Sequence, residues 1–413
     1  MDRLLEAILR RFVRRGTLRI TTAHGHTFTV GDGSGPPIAI RFATAAAQRG
    51  VMLDPELKLG EAYMDGTLVM EQGTVSDLLH LSVYNLSNQS FVPFERLWDW
   101  LRRAVRQLFA LNNLTRASHN AAHHYNIDYR IYRLFLDDDL QYSCAYFERP
   151  DASLDEAQMA KKRHIAGKLL LDEKPDLKVL DIGSGWGGLG MHLARNHQAQ
   201  VTGINLSEEQ VKVARERAKA ENLSCEFRIQ DYRNVAERFD RIVSVGMFEH
   251  VGKSFYNTFF RKCYDILADD GVMLLHTVGR WDKPSITNPW IWKYIFPGGY
   301  APTLSEITPV IERSKFIIAD VEVLRLHYAE TLKHWRERFL AHRDEALRIF
   351  DERFARMWEF YLAGFEPCFR YGGLEVFQIQ LIKRLDATPI TRDYMYRRGR
   401  QPPSQVQVAE AAE

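Results

Sequence analysis

Apolar and polar positions divide the chain into two stretches with different periodicities. In the first hundred residues, short apolar segments at 17–22, 27–30 and 38–42 are punctuated by glycines and prolines, and residues 55–110 have mostly helical periodicity. From residue 177 onward, strand-length apolar segments recur at 178–182, 200–205, 225–230, 239–245, 272–278 and 316–327. Amphipathic helical stretches separate most of them. This alternation predicts an α/β fold with a doubly wound, mostly parallel sheet, preceded by a smaller α+β domain.

The remaining C-terminal part predicts a long helix, a last strand and a tail. Helical periodicity runs over 330–362 with room for a break, and residues 374–383 have the pattern of a strand. Residues 392–413 are polar and lack apolar periodicity, so we predict a disordered tail there. Because a single core stops growing at about 250–300 residues, 413 residues predict two domains. We place them at 1–110 and 111–391.

The first twenty residues predict a basic amphipathic helix. Leu5, Ile8, Leu9 and Phe12 recur at helical spacing, and five arginines occupy other positions. Such a helix can lie on an anionic membrane surface. It can equally be a surface helix that packs on its own domain. Periodicity leaves both interpretations open.

Composition narrows the function classes. The chain is 46% hydrophobic and 26% charged, which is typical of a globular protein. A net charge of +2 argues against a dedicated nucleic-acid binder. The four cysteines have no CxxC or CxxH spacing, which favours a reducing, cytosolic compartment.

The sequence predicts no membrane-spanning segment, signal peptide or metal site. No stretch of about 20 apolar residues could span a membrane, and arginines interrupt any signal-peptide core near the N-terminus. His119, His123 and His124 lie close together but lack an acidic or cysteine partner at ligand spacing. We therefore predict no metal site.

The segment VLDIGSGWGG at 179–188 carries the first chemical motif. A predicted strand runs into a glycine turn and then a helix, which lets the backbone approach a ligand closely. Gly183, Gly185 and Gly188 satisfy the dinucleotide pattern GxGxxG, but a nicotinamide enzyme would end the next strand with an acid. That strand ends in Asn205, and the acid is Asp181, two residues before the first glycine. This arrangement resembles the first motif of class I S-adenosylmethionine-dependent methyltransferases.

Five further segments resemble the cyclopropane-fatty-acyl-phospholipid synthase family, which includes the mycolic acid cyclopropane synthases. They are QYSCAYF at 141–147, NLSEEQ at 205–210, SVGMFEHVG at 244–252, LLHTVG at 274–279 and LHY at 326–328. The similarity covers residues 110–385 strongly and the N-terminal domain more loosely. It implies a Rossmann-like class I methyltransferase domain at 111–391 and an N-terminal accessory, lipid-binding domain at 1–110.

The resemblance implies an S-adenosylmethionine site. Gly183 and Gly185 would line the methionine end, Gln210 would reach the ribose, and Asp231 with Tyr232 would lie near the adenine. The full implied set is Tyr142, Ser143, Asp181, Gly183, Gly185, Gly187, Asn205, Gln210, Asp231 and Tyr232.

The resemblance also implies a bound bicarbonate ion. Cys144, Glu249, His276 and Tyr328 match the catalytic cluster that holds this ion in the family. Val278 completes the set through its backbone, at a position where the family commonly has Ile.

These implications lead to an expected function. The enzyme would transfer a methylene group from S-adenosylmethionine to the cis double bond of an unsaturated phospholipid acyl chain. A carbocation would form, aromatic faces would stabilise it, and bicarbonate would remove a proton as the cyclopropane ring closes. The candidate aromatic residues are Tyr142, Tyr146, Phe147, Phe248, Trp281 and Tyr328.

Three alternatives stay open on the sequence. A related fatty-acyl C-methyltransferase would give a methyl- or methylene-branched product. An NAD(P)-dependent oxidoreductase is disfavoured by Asn205, and a non-enzymatic lipid-binding protein would have no use for the glycine turn together with Gln210.

The resemblance also implies where the enzyme works. We expect a cytoplasmic protein, peripherally associated with the inner face of a phospholipid membrane, and a homodimer. The aromatic segment 281–302 would form a lid over the acyl tunnel.

Overall fold

A computed structural model of the chain describes residues 1–87 and 129–396. Within residues 1–87, the structure has one four-stranded sheet and four helices. The strands are β1 (Thr17–Thr21), β2 (Thr27–Gly31), β3 (Pro37–Phe42) and β4 (Leu68–Gln72). The helices are α1 (Asp2–Phe12), α2 (Ala45–Leu53), α3 (Pro55–Met64) and α4 (Val75–Ser87).

The sheet order is β2-β1-β3-β4, with β1 parallel to β3 and the other pairs antiparallel. The three predicted strands are confirmed within one residue. The prediction of mostly helix over 55–110 misses β4. That strand is held by pairing with β3 and by burial of Leu68, which are tertiary effects. The predicted domain boundary at 110 lies outside the described residues, as does the histidine-rich segment.

The second region contains a seven-stranded sheet flanked by helices. Its strands are β5 (Lys178–Ile182), β6 (Gln200–Asn205), β7 (Cys225–Ile229), β8 (Phe239–Val245), β9 (Leu267–Arg280), β10 (Ile317–Val323) and β11 (Leu374–Ile382). Its helices are α5 (Tyr129–Phe135), α6 (Leu154–Lys168), α7 (Gly188–His197), α8 (Glu208–Ala220), α9 (Tyr256–Ile266), α10 (Pro289–Tyr294), α11 (Leu304–Arg313), α12 (His327–Ala341), α13 (Arg343–Ile349) and α14 (Glu352–Arg370).

The strand order is β10-β11-β9-β8-β5-β6-β7. Strands β5 to β9 are mutually parallel, and β11 runs antiparallel to both β9 and β10. This arrangement confirms the predicted mostly parallel, doubly wound sheet. The chain order reverses beside β5, whose neighbours are β6 and β8, so a crevice opens at the carboxyl ends of these strands.

The two regions share part of one hydrophobic core. One buried cluster contains residues from both regions. They include Met64 of α3 with Val75 and Leu79 of α4, and Trp290 of α10 with Trp358 of α14. The N-terminal sheet has a further cluster of its own. The accessory region is therefore packed against the elements that surround the site described below.

Two C-terminal predictions change in the structure. The long helix predicted over 330–362 is three helices, α12, α13 and α14. The disordered tail predicted from residue 392 is wrong for residues 392–396, which form a short 3-10 helix with Met395 buried against α6. Arg392 pairs with Asp320 of β10 at 2.5 Å. Residues 397–413 lie outside the described residues.

Helix α1 packs on the N-terminal sheet and also presents an apolar stripe to solvent. Leu5 is buried, and Leu9 packs against the same cluster. Met1, Leu4 and Ile8, spaced along an adjacent face, are 51%, 58% and 46% exposed. None of the helices in the described part of the chain combines the length and apolar character needed to cross a bilayer.

Candidate active site

A cavity lies at the crevice between β5, β6 and β8. Its wall is built from the turn after β5, the ends of β6 and β8, and the loop at 140–143. Nine of the ten predicted cofactor residues line it: Tyr142, Ser143, Asp181, Gly183, Gly185, Asn205, Gln210, Asp231 and Tyr232. The topology thus brings together residues that are as much as 90 positions apart in sequence.

Two glycines of the turn after β5 border this cavity. Gly183 and Gly185 have φ angles of +88° and +53°, the left-handed region that favours glycine. A Cβ atom at Gly185 would meet nothing within 4 Å, so this position opens onto the cavity. Gly187 differs. A Cβ there would lie 2.8 Å from Phe227 and 2.9 Å from Ala214, and the residue does not line the cavity. Close packing accounts for the glycine at this position, and a role of Gly187 in cofactor binding stays a prediction.

Asp181 supplies a buried acceptor beneath the turn. Its Oδ2 atom has no hydrogen-bond partner among the described residues. Burial raises the pKa of this carboxyl to about 7, although the nearby Lys161 ammonium opposes the rise. A buried carboxylate oxygen without a partner calls for a donor. The ammonium of an amino-acid moiety fits it.

The part of the cavity wall formed after β6 and β7 is polar as well. Asn205 donates from Nδ2 to Oε1 of Gln210 at 2.7 Å, which leaves the Gln210 amide nitrogen available as a donor. Asp231 accepts from Nε and Nη2 of Arg233 at 2.8 and 2.7 Å. The Arg233 guanidinium also lies over the Tyr232 ring. Hydroxyl groups of a ribose and a planar ring suit these neighbours.

A second polar cluster lies at the carboxyl end of β9. The Glu249 side chain reaches from the segment after β8 and accepts from the backbone N–H of Val278 at 2.5 Å. Its other oxygen is buried without a hydrogen-bond partner in the described ranges. Burial raises the pKa of Glu249 to about 7. This is a second buried acceptor that awaits a donor.

His276 belongs to the same edge of the sheet. It stands directly opposite Gln378 on β11, and the Gln378 amide donates to Nδ1 at 3.1 Å. Burial lowers the pKa of His276 to about 3, so the imidazole is neutral at pH 7. With Nδ1 accepting, the ring hydrogen lies on Nε2, where it is available for donation.

The other two residues of the predicted cluster are Cys144, in the loop between α5 and α6, and Tyr328, on α12. Both are buried in one core cluster. Thr331 on α12 fixes the backbone next to Cys144, because its hydroxyl accepts from the Ala145 N–H at 3.0 Å. Burial raises the pKa of the Cys144 thiol, so it is a neutral donor rather than a thiolate.

Aromatic rings surround this side of the site. Tyr328 contacts Trp335 and Phe369 at ring-centroid distances of 5.8 and 4.7 Å, and Tyr142 shares a 2.9 Å hydrogen bond with Tyr361. Two of the predicted aromatic residues lie outside this cluster of rings. Phe248 packs in a different core cluster, against Tyr256 and Phe259, and Trp281 is 66% exposed.

The aromatic segment 281–302 spans from the accessory region to the site. It contains α10, which is capped by Asn288. Trp290 is buried beside Gly60 and Met64 of α3, and both Lys293 and Tyr294 hydrogen-bond to Glu61. At its far end, Tyr300 donates its N–H to the Glu249 carbonyl at 2.9 Å.

The sequence reasoning missed several residues that line the cavity. They are Gln141, Trp186, Gln230, Arg233, Met247 and His250. All six lie within one or two residues of a predicted site residue, so adjacency in the chain was an available signal. Burial lowers the pKa of His250 to about 4, which keeps it neutral.

The strand order and the cavity at the switch point define a class I S-adenosylmethionine-dependent methyltransferase. A solved structure, of the mycolic acid cyclopropane synthase CmaA1 complexed with SAH and CTAB, is 32% identical. It superimposes with a TM-score of 0.61 and covers 66% of this chain and 99% of that one.

The family model for mycolic acid cyclopropane synthetase matches residues 112–379, and the chain belongs to this family. A second model, for a domain of unknown function, matches residues 4–93. The cyclopropane-fatty-acyl-phospholipid synthase of Escherichia coli K12 is 38% identical over 83% of this chain and 87% of its own length. The tuberculostearic acid methyltransferase UfaA1 of Mycobacterium tuberculosis is 33% identical over 91% of this chain and 90% of its own length. Family membership sets aside the oxidoreductase and non-enzymatic alternatives.

Proposed function

We propose that this methyltransferase converts the cis double bond of an unsaturated phospholipid acyl chain into a cyclopropane ring. The observation that carries the proposal is the pair of adjoining sites at the carboxyl edge of one sheet. A cofactor-sized cavity opens beside β5, and the polar cluster of Glu249, Val278 and His276 lies at the ends of β8 and β9. The relative in Escherichia coli, a cyclopropane-fatty-acyl-phospholipid synthase, supports the product.

The cavity residues would hold the cofactor in one orientation. S-adenosylmethionine supplies an electrophilic methyl group on its sulfonium when it is bound. Asp181 would accept from the α-ammonium, and Gln210 would donate toward the ribose. This positioning matters because a carbon–carbon double bond is a weak nucleophile and must be aligned with the methyl group while water is excluded.

Aromatic side chains would stabilise the charge that develops on the acyl chain. Methyl transfer to one olefinic carbon leaves a cation on its neighbour. Tyr142 and Tyr328 belong to a buried cluster of aromatic rings, whose faces attract a cation without adding to it. Loss of a proton from the added methyl group then lets the ring close.

The second cluster fits a bicarbonate ion. Glu249 has one oxygen without a hydrogen-bond partner among residues 1–87 and 129–396, and this oxygen would accept from the ion's hydroxyl. The backbone at Val278, the Nε2–H of His276, the Cys144 thiol and the Tyr328 hydroxyl complete the proposed set. Bicarbonate would supply a base for the departing proton. The neutral state of His276 suits this arrangement, because the imidazole can orient the ion without protonating it.

We propose that the enzyme reaches its substrate at the inner surface of the membrane. The stripe of Met1, Leu4 and Ile8 on α1 is exposed beside arginines, which suits a surface of apolar chains and anionic head groups. The family resemblance adds the proposal of a homodimer, which light scattering of the purified full chain would test.

One alternative product has specific support. The similarity to the tuberculostearic acid methyltransferase is consistent with a methyl- or methylene-branched product. Both outcomes share the cation and differ in which proton leaves. The proposed bicarbonate cluster is why we place the ring first.

Expression in a bacterium that lacks its own cyclopropane synthase tests the function. Gas chromatography with mass spectrometry should show fatty acids heavier by one methylene unit, and hydrogenation or olefin derivatisation should identify a ring rather than a branch. A chain with Glu249→Gln serves as the inactive control. If the wild-type chain yields no new fatty acid, the proposal fails.

A further inference from the structure

Helix α6 is hydrogen-bonded to the loop at 140–143, which forms part of the wall of the cofactor cavity. Gln158 on α6 donates from Nε2 to the carbonyl oxygens of Gln141 and Ser143, at 3.2 and 3.0 Å. The helix itself is fixed by a capping box between Ser153 and Glu156. The loop is therefore held by a capped helix that does not itself line the cavity.

Lys161 of α6 also contacts this loop. Its side chain is fully buried, and its ammonium donates to Oγ of Ser143 and Oε1 of Gln141, both at 2.8 Å. Ser143 and Gln141 both line the cavity. Because the Ser143 oxygen accepts from Lys161, its own hydroxyl hydrogen is free to point at an acceptor inside the cavity.

The charged groups near Lys161 indicate which ligand group would accept the hydrogen bond of the Ser143 hydroxyl. Burial lowers the pKa of Lys161 to about 8, although the nearby Asp137 carboxyl opposes the shift. Asp139, two residues further along, is paired with Lys162 and Arg217. Asp181 offers a buried acceptor in the same cavity. An amino-acid moiety would place its ammonium toward Asp181 and its carboxylate toward the donor side, where Ser143 lies.

We propose that Lys161 is a positioning residue for the α-carboxylate of S-adenosylmethionine. It fixes the Ser143 hydroxyl as a donor to that carboxylate, and its positive charge offsets the carboxylate's negative charge in a buried site. The inference rests on the proposed cofactor site and assigns a role within it.

Two ligands separate this role from simple support of the fold. S-adenosylhomocysteine carries the amino-acid moiety, and 5′-methylthioadenosine lacks it. Calorimetry on the full chain should show that Lys161→Met weakens S-adenosylhomocysteine binding by about tenfold or more, the size expected for a charged hydrogen bond. Affinity for 5′-methylthioadenosine should stay within about twofold, because that ligand has no carboxylate.

The neighbouring lysine provides a matched control. Lys162 is also buried on α6, but its ammonium contacts Asp139 rather than Ser143. Lys162→Met should change the two affinities by the same factor. If Lys161→Met also weakens both ligands equally, Lys161 only supports the fold and the inference is overturned.

Two further measurements keep the outcome clear. Should Lys161→Met fail to fold, Ser143→Ala tests the same contact, and an unchanged S-adenosylhomocysteine affinity in that variant would reject the inference. If the wild-type chain binds neither ligand, the proposed function fails instead. Raising the pH from 7 to 9 should weaken S-adenosylhomocysteine binding more in the wild type than in Lys161→Met, since only the wild type loses the Lys161 charge.

Discussion

The Glu249 carboxylate and the backbone N–H of Val278 form a 2.5 Å hydrogen bond that ties the segment after β8 to the end of β9. This bond orients Glu249 so that one oxygen is used by the fold and the other is buried without a hydrogen-bond partner in the described part of the chain. A carboxylate held in this way is prepared for a donor that arrives with a ligand.

Replacing Glu249 with Gln should abolish turnover and leave cofactor binding intact. The amide keeps an oxygen for the Val278 N–H but loses the negative charge. We expect at least about a 100-fold fall in kcat, the usual contribution of a group that assists proton transfer. Affinity for S-adenosylhomocysteine should stay within about threefold, because Glu249 does not line the cofactor cavity. His276→Ala should behave similarly, and full activity in both variants would show that the second site is misplaced.

The same substitution should change how stability depends on pH. The pKa of Glu249 is raised by burial from 4.5 to about 7 in the folded chain. A raised pKa means that the carboxyl stabilises the fold fully below pH 4.5, and this contribution is lost as the pH rises to 7. Over that interval, Glu249→Gln should gain about 3 kcal/mol in free energy of unfolding relative to the wild type. Urea unfolding at pH 5 and pH 8 would measure this difference, and a constant difference would contradict the buried, unpaired state.

Two glycines of one turn should respond differently to alanine. Gly185→Ala projects a methyl group into the open cavity, so S-adenosylhomocysteine affinity should fall at least about tenfold while stability drops by only about 1 kcal/mol. Gly187→Ala places its Cβ 2.8 Å from Phe227, and its main effect should be a loss of about 2 kcal/mol or more in free energy of unfolding. Calorimetry and urea unfolding of both variants would test the distinction. Equal loss of binding at matched stability would restore Gly187 to the cofactor site.

The contact between α3 and the aromatic segment should matter for the lipid step rather than for cofactor binding. A Cβ at Gly60 would lie 2.4 Å from Nε1 of Trp290, so Gly60→Ala should displace α10, lower the melting temperature and reduce activity on phospholipid vesicles. Affinity for S-adenosylhomocysteine should be unchanged.

Gly50 on α2 is the matched control for that change. A Cβ there would meet only the Lys58 side chain, at 3.5 Å, and alanine favours a helix interior by about 0.5–1 kcal/mol. Gly50→Ala should therefore be neutral or stabilising. Wild-type activity in Gly60→Ala would show that α10 does not depend on this contact.

The exposed stripe of α1 should be needed for membrane binding. Leu4→Ser together with Ile8→Ser removes apolar surface without touching buried Leu5, so co-sedimentation with anionic vesicles should weaken severalfold while stability is retained. Leu385→Ser, at a leucine of the second region that is 81% exposed, is the control. If vesicle binding is unchanged in the double variant, α1 is only a packing helix.

The sequence by itself determined the alternation of strands and helices, the strand-turn-helix segment at Asp181 and Gly183, and the resemblance that grouped Cys144 with Glu249, His276 and Tyr328. Periodicity and motif spacing are local, and the chain carries them directly. The tertiary structure alone decided which side chains meet. It separated Gly187 from Gly185, paired Arg233 with Asp231, and moved Phe248 and Trp281 away from the aromatic cluster.

Dependence on tertiary contacts also explains why the sequence did not predict strand β4 or the contacts of Lys161. The segment 68–72 becomes a strand only because β3 offers a partner edge. A lysine on a helix reads as a solvated residue until packing buries it against Ser143 and Gln141. Burial and contact depend on the whole fold, so these assignments required the three-dimensional structure.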